Sequence, residues 1–245
     1  MPDPIHPIVA GSGMAAVPIA LLAGGLATRL RPITTTIPKA LVEVAGEPFI
    51  DHQLRLLARN GARRVVMCIG YLGEMIEAHC RDGSRYGLEL SYVPDGPKLL
   101  GTGGALRQAL PYLGEAFWVL YGDSYMDIDY PAVLTAFQQR GRQGLMTVLR
   151  NGDRWDKSNV VFQQNRLIRY DKRHPTPDME YIDYGASLLR SDVLAAYPAG
   201  EAFDLLGQSW FRASQRDSAI AAWRRALDLR AAPTDAASLV DAVMF

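Results

Sequence analysis

Between residues 17 and 150 the chain alternates short runs of apolar residues with longer segments in which apolar residues recur at helical spacing. The apolar runs, each about the length of a strand, are residues 19–22, 64–70, 88–93, 117–121 and 145–150. Helical spacing is found over residues 50–59 and 73–80, after Thr102, and over residues 131–139. Strands that alternate with helices predict a largely parallel sheet with helices on both faces.

The pattern changes after residue 150. Residues 159–163, 167–170 and 181–189 have the composition of strands joined by polar turns, which predicts antiparallel pairing that caps the sheet. From residue 201 onward the apolar spacing is helical. We therefore predict a disordered Pro/Gly/Ala-rich extension over residues 1–16, an α/β domain over residues 17–202 and a helical segment over residues 203–245. The domain would have three layers (α/β/α) around a mixed, mostly parallel sheet.

Paired glycines and two cations follow the first apolar run. The run ends at Leu22 and is followed by Ala23, Gly24 and Gly25, with Arg29 and Lys39 close behind. Glycine has no Cβ, so backbone N–H groups can approach phosphate oxygens closely. A guanidinium and an ammonium can then neutralise the phosphate charge from different directions. This stretch therefore predicts a polyphosphate site.

Two further segments are expected at the same place. Residues 101–104, which contain three glycines, and Asp123 also follow apolar runs. Ligands of parallel sheets bind at the carboxyl ends of the strands. The glycine pair, the second glycine-rich segment and Asp123 should therefore meet at one rim of the sheet.

Composition excludes several classes of protein. Hydrophobic residues make up 49% of the 245, enough for a large core, while Lys+Arg and Asp+Glu number 26 each. A formal net charge of zero argues against a nucleic-acid partner, so any phosphate binding is local. The two cysteines support neither a disulfide nor a metal site. No apolar stretch is long enough to span a bilayer and the first residues carry no secretory n-region, so we expect a cytoplasmic protein without a membrane partner.

The segment from Gly24 to Lys39 resembles the signature of the sugar-1-phosphate nucleotidylyltransferases, G-G-x-G-T-R-L-x-P followed by P-K. Ala27 stands where that signature has its third glycine. The resemblance implies a Rossmann-like nucleotidyltransferase fold, in which Arg29 grips the departing pyrophosphate and Lys39 reaches the phosphates at the reacting centre. A glycine-rich turn with two solvated cations is the alternative. A dinucleotide fingerprint and a Walker P-loop are both absent.

Residues 100–106 carry the second match. In the family a glycine-rich loop that enters a helix holds the nucleobase and ribose, which implies nucleotide contacts from Gly101, Thr102 and Gly103, in addition to Ala23, Gly24 and Gly25. A tight strand-to-helix turn is the alternative. Asp123, in Gly122-Asp123, is the third match and resembles the family's metal-holding aspartate. The implied cofactor is Mg²⁺, with an N-cap aspartate as the alternative.

Two later segments resemble the sugar-phosphate side of the family's site. Asp171 and Lys172 correspond to an acidic-Lys pair in which the carboxylate touches sugar hydroxyls and the lysine holds the phosphate. Asp183 and Gly185 lie where relatives carry a sugar-binding turn. Surface salt bridges would explain the same residues.

The resemblance stops near Leu205, before the turn that supplies a second metal carboxylate in relatives. Either that carboxylate is missing here or Asp183, the one nearby substitute, takes its place. Beyond it, apolar residues fall at the spacing of a single tetratricopeptide repeat, which cannot bury its own apolar face. The alternative is an ordinary amphipathic helical pair. Such a segment would pack on the domain, form a homo-oligomer, bind another partner or be a fragment of a longer array.

The leading functional hypothesis is Mg²⁺-dependent transfer of a nucleotidyl group from an NTP to a sugar 1-phosphate, giving an NDP-sugar and pyrophosphate. Residues 101–106 and the neighbourhood of Lys39 look most like the mannose- and heptose-1-phosphate guanylyltransferases, which points to GTP and to polysaccharide precursors. Uridylyl and thymidylyl transfer are the open alternatives. The rival hypothesis is a nucleotide-sugar-binding or regulatory module that does not turn over and whose helical tail binds a partner.

Overall fold

The computed structural model describes residues 13–163, 166–172, 174–203, 205 and 240–244. The strands of the main sheet are β1 (Ile19–Leu22), β4 (Arg64–Ile69), β5 (Glu89–Pro94), β6 (Ala116–Tyr121), β7 (Gly144–Arg150), β8 (Val160–Gln163), β9 (Arg166–Tyr170), β10 (Tyr181–Arg190) and β11 (Val240–Met244). A two-stranded ribbon is formed by β2 (Glu43–Val44) and β3 (Glu47–Pro48). The helices are α1 (Phe49–Arg59), α2 (Gly73–Cys80), α3 (Gly101–Leu113), α4 (Tyr130–Arg140) and the short α5 (Asp192–Ala195).

The main sheet is mixed, in the order β11-β7-β10-β6-β1-β4-β5, with β8 and β9 attached to β10. Strands β6, β1, β4 and β5 pair in parallel, as the alternation of strands and helices predicts. Strand β10 pairs antiparallel with both β6 and β7. β7 thus runs in the same direction as β6, but the late strand β10 is inserted between them.

Both faces of the parallel strands are buried, which explains their nearly continuous apolar sequences. Alternate side chains point to opposite faces of a strand. Leu21, Met67 and Trp118 pack in the core layer on one face, while neighbours such as Ala20 and Val66 pack in the layer on the other. The structure has the predicted three-layer α/β/α arrangement.

Strand β10 is irregular on the side of the site. Its register against β7 shifts between Asp183 and Ser187, and Gly185 within this bulge has a φ of +100°. A backbone in this region strongly favours glycine, because a side chain would strain it. Bulges re-aim side chains at the edges of sites. The antiparallel pairing predicted for β8, β9 and β10 is present.

The structure differs from the predicted boundaries at both ends of the domain. Residues 14–16 form a short 3-10 helix in which Met14 is buried in the core, so this part of the predicted extension is ordered. Residues 240–244, predicted to be helical, form β11 on the edge of β7. The rest of the predicted repeat, residues 206–239, lies outside the described residues, as do residues 1–12. Within the described ranges, none of the helices has the length and apolarity needed to cross a bilayer.

Candidate active site

A cleft of about 600 Å³ opens beyond the carboxyl ends of β1 and β6. Eight residues singled out from the sequence line it: Ala23, Gly24, Gly25, Arg29, Lys39, Gly101, Thr102 and Asp123. They come from three separate segments of the chain, which the parallel topology brings to one rim. The remaining candidates are absent from the lining and are described below.

The two glycines after β1 meet different surroundings. A Cβ on Gly24 would lie 3.0 Å from the backbone nitrogen of Gly70, because the loops after β1 and β4 pack against each other there. A Cβ on Gly25 would meet nothing within 4 Å. Gly24 therefore permits close packing of two loops, while Gly25 leaves its backbone open to the cleft.

Arg29 is carried by a short 3-10 helix, Thr28–Leu30, directly after Ala27. Ala27 has a φ of +46°, in the left-handed region, which explains why the family signature has a glycine at this position. The hydroxyl of Thr34 donates a hydrogen bond of 2.9 Å to the carbonyl oxygen of Ala27 and fixes the turn. Arg29 is exposed and, in the described part of the chain, forms no ion pair.

Lys39 and Asp123 meet in the cleft. The ammonium of Lys39 lies 2.7 Å from Oδ2 of Asp123, and both side chains are about 40% exposed. Gly122, just before Asp123, packs against the end of β1, where a Cβ would come within 2.9 Å of the carbonyl oxygen of Leu22. This close approach places Asp123 beside the glycine turn.

The carboxylate of Asp123 is a hard oxygen donor, the type of ligand that Mg²⁺ prefers. Within the described ranges, no group of three or more potential ligands surrounds it. Mg²⁺ is commonly held by one or two carboxylates, with the remaining positions filled by phosphates and water. Asp123 therefore fits a metal that arrives with a nucleotide rather than one held in a protein cage.

The start of α3 forms another wall of the cleft through Gly101 and Thr102. Asp95 also lines it; its carboxylate accepts a hydrogen bond of 3.1 Å from the N–H of Leu100, and burial raises the pKa of this carboxyl. The carboxylate thus holds the backbone just before the helix in place.

Gly103 and its neighbour Gly104 face away from the cleft lining, towards a segment that we call the C-terminal strap (residues 201–203 and Leu205). Their N–H groups both donate to the carbonyl oxygen of Phe203, at 2.9 and 3.2 Å. The hydroxyl of Thr102 accepts a hydrogen bond of 2.9 Å from the N–H of Leu205. These glycines allow the strap to lie against the helix, a role that the sequence motif alone does not reveal.

The four sugar-phosphate candidates form a group outside the cleft lining. Lys172 is 3.2 Å from Oδ2 of Asp183, and the N–H of Gly185 donates to Oδ1 of Asp183 at 3.0 Å. Asp171 instead accepts hydrogen bonds from the backbone and ring of His174, at 2.9 and 3.2 Å. Three candidates are thus brought together, while the side chain of Asp171 is engaged with His174.

Tyr121 connects this group to the cleft. Tyr121 lines the cleft, and the ammonium of Lys172 lies 5.6 Å from the centre of its ring. A second ring, that of Tyr170, lies 5.8 Å from the same ammonium. Neither tyrosine stands out in the sequence, and the one signal for them is a position at the end of β6 or β9, where aromatic residues are also common in cores.

These features define an α/β domain with a cleft at the carboxyl ends of its parallel strands, and comparison with known proteins identifies its family. Residues 19–163 match the model of the nucleotidyl transferase family. The match covers more than half of the chain and spans the glycine turn, Arg29, Lys39, the second glycine-rich segment and Asp123. The chain belongs to this family.

Two curated relatives illustrate the similarity. The N-acetylmuramate alpha-1-phosphate uridylyltransferase of Neisseria meningitidis serogroup B is 43% identical over 119 residues, covering 48% of this chain and 50% of the relative. The mannose-1-phosphate guanylyltransferase catalytic subunit beta of Danio rerio is 37% identical over 156 residues, covering 61% of this chain and 43% of the relative. The chain spans about half the length of the curated relatives that it matches.

A solved structure shows the same fold. The inositol-1-phosphate CTP transferase of T. maritima superposes with a TM-score of 0.67 at 23% identity, covering 84% of this chain and 83% of the other. This likeness confirms the fold class.

Proposed function

We propose that the protein transfers a nucleotidyl group from an NTP to a sugar 1-phosphate, giving an NDP-sugar and pyrophosphate. The observation that supports this most directly is that Arg29, Lys39 and Asp123 lie in one cleft with the open backbone at Gly25. The two relatives described above are named for transfer to sugar 1-phosphates.

The reaction joins two anions. A phosphate oxygen of the sugar 1-phosphate attacks the α-phosphorus of the NTP, the bond to the bridging β-oxygen breaks, and pyrophosphate leaves with that electron pair. The attacking oxygen is already ionised, so no side-chain base is needed and catalysis consists of positioning and charge neutralisation. Arg29 and Lys39 supply positive charge to the phosphates in this scheme.

Asp123 is the residue that would hold Mg²⁺, which neutralises charge on the phosphates when bound. In the structure its carboxylate is paired with Lys39 at 2.7 Å. Lys172, next to Tyr121 at the cleft wall, would receive the phosphate of the sugar 1-phosphate.

The nucleobase of the NTP is proposed separately from the type of reaction. The two relatives are a uridylyltransferase and a guanylyltransferase. We propose GTP, on the resemblance of the second glycine-rich segment and of the Lys39 region to guanylyltransferases.

A second candidate is a nucleotide-sugar-binding module that does not turn over. The observation that favours it is that the carboxylate of Asp123, which would hold the metal, is paired with Lys39 at 2.7 Å. Binding without pyrophosphate release would distinguish it from the enzyme.

The test is pyrophosphate release by the full chain with a panel of NTPs and sugar 1-phosphates in the presence of Mg²⁺. We expect turnover in the wild type and a loss of about 10²–10³-fold in Asp123→Asn, the usual cost of one preorganised electrostatic contact. Asp127→Asn, at an exposed aspartate outside the cleft lining, is the matched control and should retain full activity. Equal activity of the two variants would contradict the role of Asp123.

A further inference from the structure

The carboxylate of Asp183 is buried although it carries a charge. Its side chain is only 3% exposed, against 46% for that of its partner Lys172. Oδ1 accepts the N–H of Gly185 at 3.0 Å, while Oδ2 accepts Lys172 at 3.2 Å and the hydroxyl of Tyr170 at 3.3 Å. A buried charge is stable when it is paired and hydrogen-bonded in this way.

The backbone of Asp183 is also held. Its N–H donates a hydrogen bond of 3.1 Å to the side-chain oxygen of Asn159, which is itself buried. The carboxylate is therefore fixed from both sides, by Asn159 through the backbone and by the bulge at Gly185 through the N–H. Such an anchored acceptor can impose a position on a flexible lysine.

The lysine, by contrast, is at the surface of the site. Its ammonium lies near the faces of Tyr121 and Tyr170, which attract cations, and Tyr121 belongs to the cleft wall. A lysine side chain otherwise samples many rotamers, and ordering it costs up to about 2 kcal/mol.

We infer that Asp183 is a positioning residue that holds the ammonium of Lys172 at the cleft wall, ready for the phosphate of a sugar 1-phosphate. This inference rests on the proposed function. Asp183 acts through Lys172, since its own carboxylate is buried and its oxygens are already engaged. The arrangement preorganises a cation before the substrate arrives.

The test is a double-mutant cycle of Asp183→Asn and Lys172→Met, with mannose 1-phosphate and glucose 1-phosphate as probes. In Asp183→Asn the amide oxygen can still accept the N–H of Gly185, but the amide nitrogen then faces the ammonium, donor against donor. We expect the KM for the sugar 1-phosphate to rise about tenfold or more, with the KM for the NTP changed less than threefold. In the Lys172→Met background the same change at position 183 should have little further effect.

The control is Asp178→Asn, the same substitution in an exposed ion pair with Arg169 outside this group, and it should change the KM for the sugar 1-phosphate less than threefold. Circular dichroism verifies folding; if Asp183→Asn does not fold, Asp183→Ser takes its place, because a hydroxyl can also accept the N–H of Gly185.

Equilibrium binding of mannose 1-phosphate is measured for the same set of variants, because binding does not depend on turnover. Coupling in the binding cycle without pyrophosphate release in the wild type would overturn the proposed function but support the positioning role. Equal losses in both backgrounds, or no binding of either probe to the wild type, would overturn the positioning role.

Discussion

Gly25 and Gly104 belong to similar glycine-rich motifs, but they have different neighbours. At Gly25 the space where a Cβ would lie is empty, and at Gly104 it lies 2.5 Å from the carbonyl oxygen of Glu201 in the C-terminal strap. The first glycine keeps backbone accessible to a ligand, and the second allows two parts of the chain to pack. The same residue type thus serves binding in one motif and packing in the other.

This difference predicts opposite behaviour of two alanine variants. Gly25→Ala should leave the free energy of unfolding nearly unchanged and weaken NTP binding about tenfold, because the new methyl group blocks close approach of phosphate. Gly104→Ala should lower the free energy of unfolding by about 1–3 kcal/mol, since overpacking outweighs the better helix propensity of alanine. Urea unfolding and NTP titration measure the two effects. A stable Gly104→Ala or an unstable Gly25→Ala would refute this assignment.

Among the secondary-structure elements, α1 is tied to α2 by one buried carboxylate. Oδ1 of Asp51, in the first turn of α1, is 2.7 Å from the ring of His79 in α2 and 3.0 Å from the guanidinium of Arg85. The hydroxyl of Tyr86 donates to the same oxygen at 2.7 Å. Burial raises the pKa of Asp51, but the hydrogen bonds from Tyr86 and His79 outweigh it and leave the pKa below its usual value of 3.8.

The lowered pKa gives a pH-dependent contribution to stability. Because the folded state prefers the charged carboxylate, the contribution is complete above the unfolded pKa, near pH 4, and is lost as the pH falls through the lower folded pKa. Asp51→Asn should reduce the free energy of unfolding by about 2 kcal/mol at pH 7, because the buried network loses the negative charge that faces His79 and Arg85. Urea unfolding should show that the difference from the wild type shrinks below pH 4. Asp178→Asn, in an exposed ion pair, is the control and should have little effect at either pH.

The strands and helices followed from local patterns, but two features of the topology did not. The order of apolar residues predicts β6, α4 and β7 as successive elements, yet nothing local shows that β10 lies between the two strands, because pairing depends on contacts distant in sequence. Likewise, the spacing at Gly101 and Gly103 predicts a helix entry, but what covers each glycine depends on residues a hundred positions later. The burial of Met14 is not predictable either, because the Pro/Gly/Ala-rich composition around it predicts an extension.

The site was largely predictable where the residues lie on one rim. Arg29, Lys39 and Asp123 each follow a strand end, and the topology then brings them together. Tyr121, a wall of the cleft that also faces Lys172, was not predictable, because an aromatic residue at the end of an apolar strand is usually assigned to the core. The engagement of Asp171 with His174 depends on a local turn that the family pattern does not show.

On the scale of the whole molecule, β11 covers one edge of the sheet. It pairs with β7 along five residues, from Val240 opposite Leu149 to Met244 opposite Leu145. An apolar strand with a free edge is a template for association with another chain. Residues 240–244 therefore protect the antiparallel side of the sheet.

A shortened chain that ends at residue 239 lacks β11 and should be less stable and more prone to self-association. We expect its Tm to fall by about 4–8 °C, which corresponds to about 2 kcal/mol for a domain of this size, and the protein to self-associate through the exposed edge of β7. Thermal unfolding and light scattering after gel filtration measure both effects. A chain that lacks only Phe245 is the control, and identical behaviour of the two shortened chains would contradict the role of β11.

The insertion of β10 between β6 and β7 also constrains how the chain is made. A ribosome synthesises β6, α4 and β7 before residues 181–190, so the edges of the two strands that face β10 stay unpaired until their common neighbour emerges. Pairing with a strand distant in sequence is slow, and apolar surface that is prone to aggregation stays exposed until it occurs. We therefore expect the nascent polypeptide to be most prone to aggregation in the interval between the synthesis of β7 and that of β10.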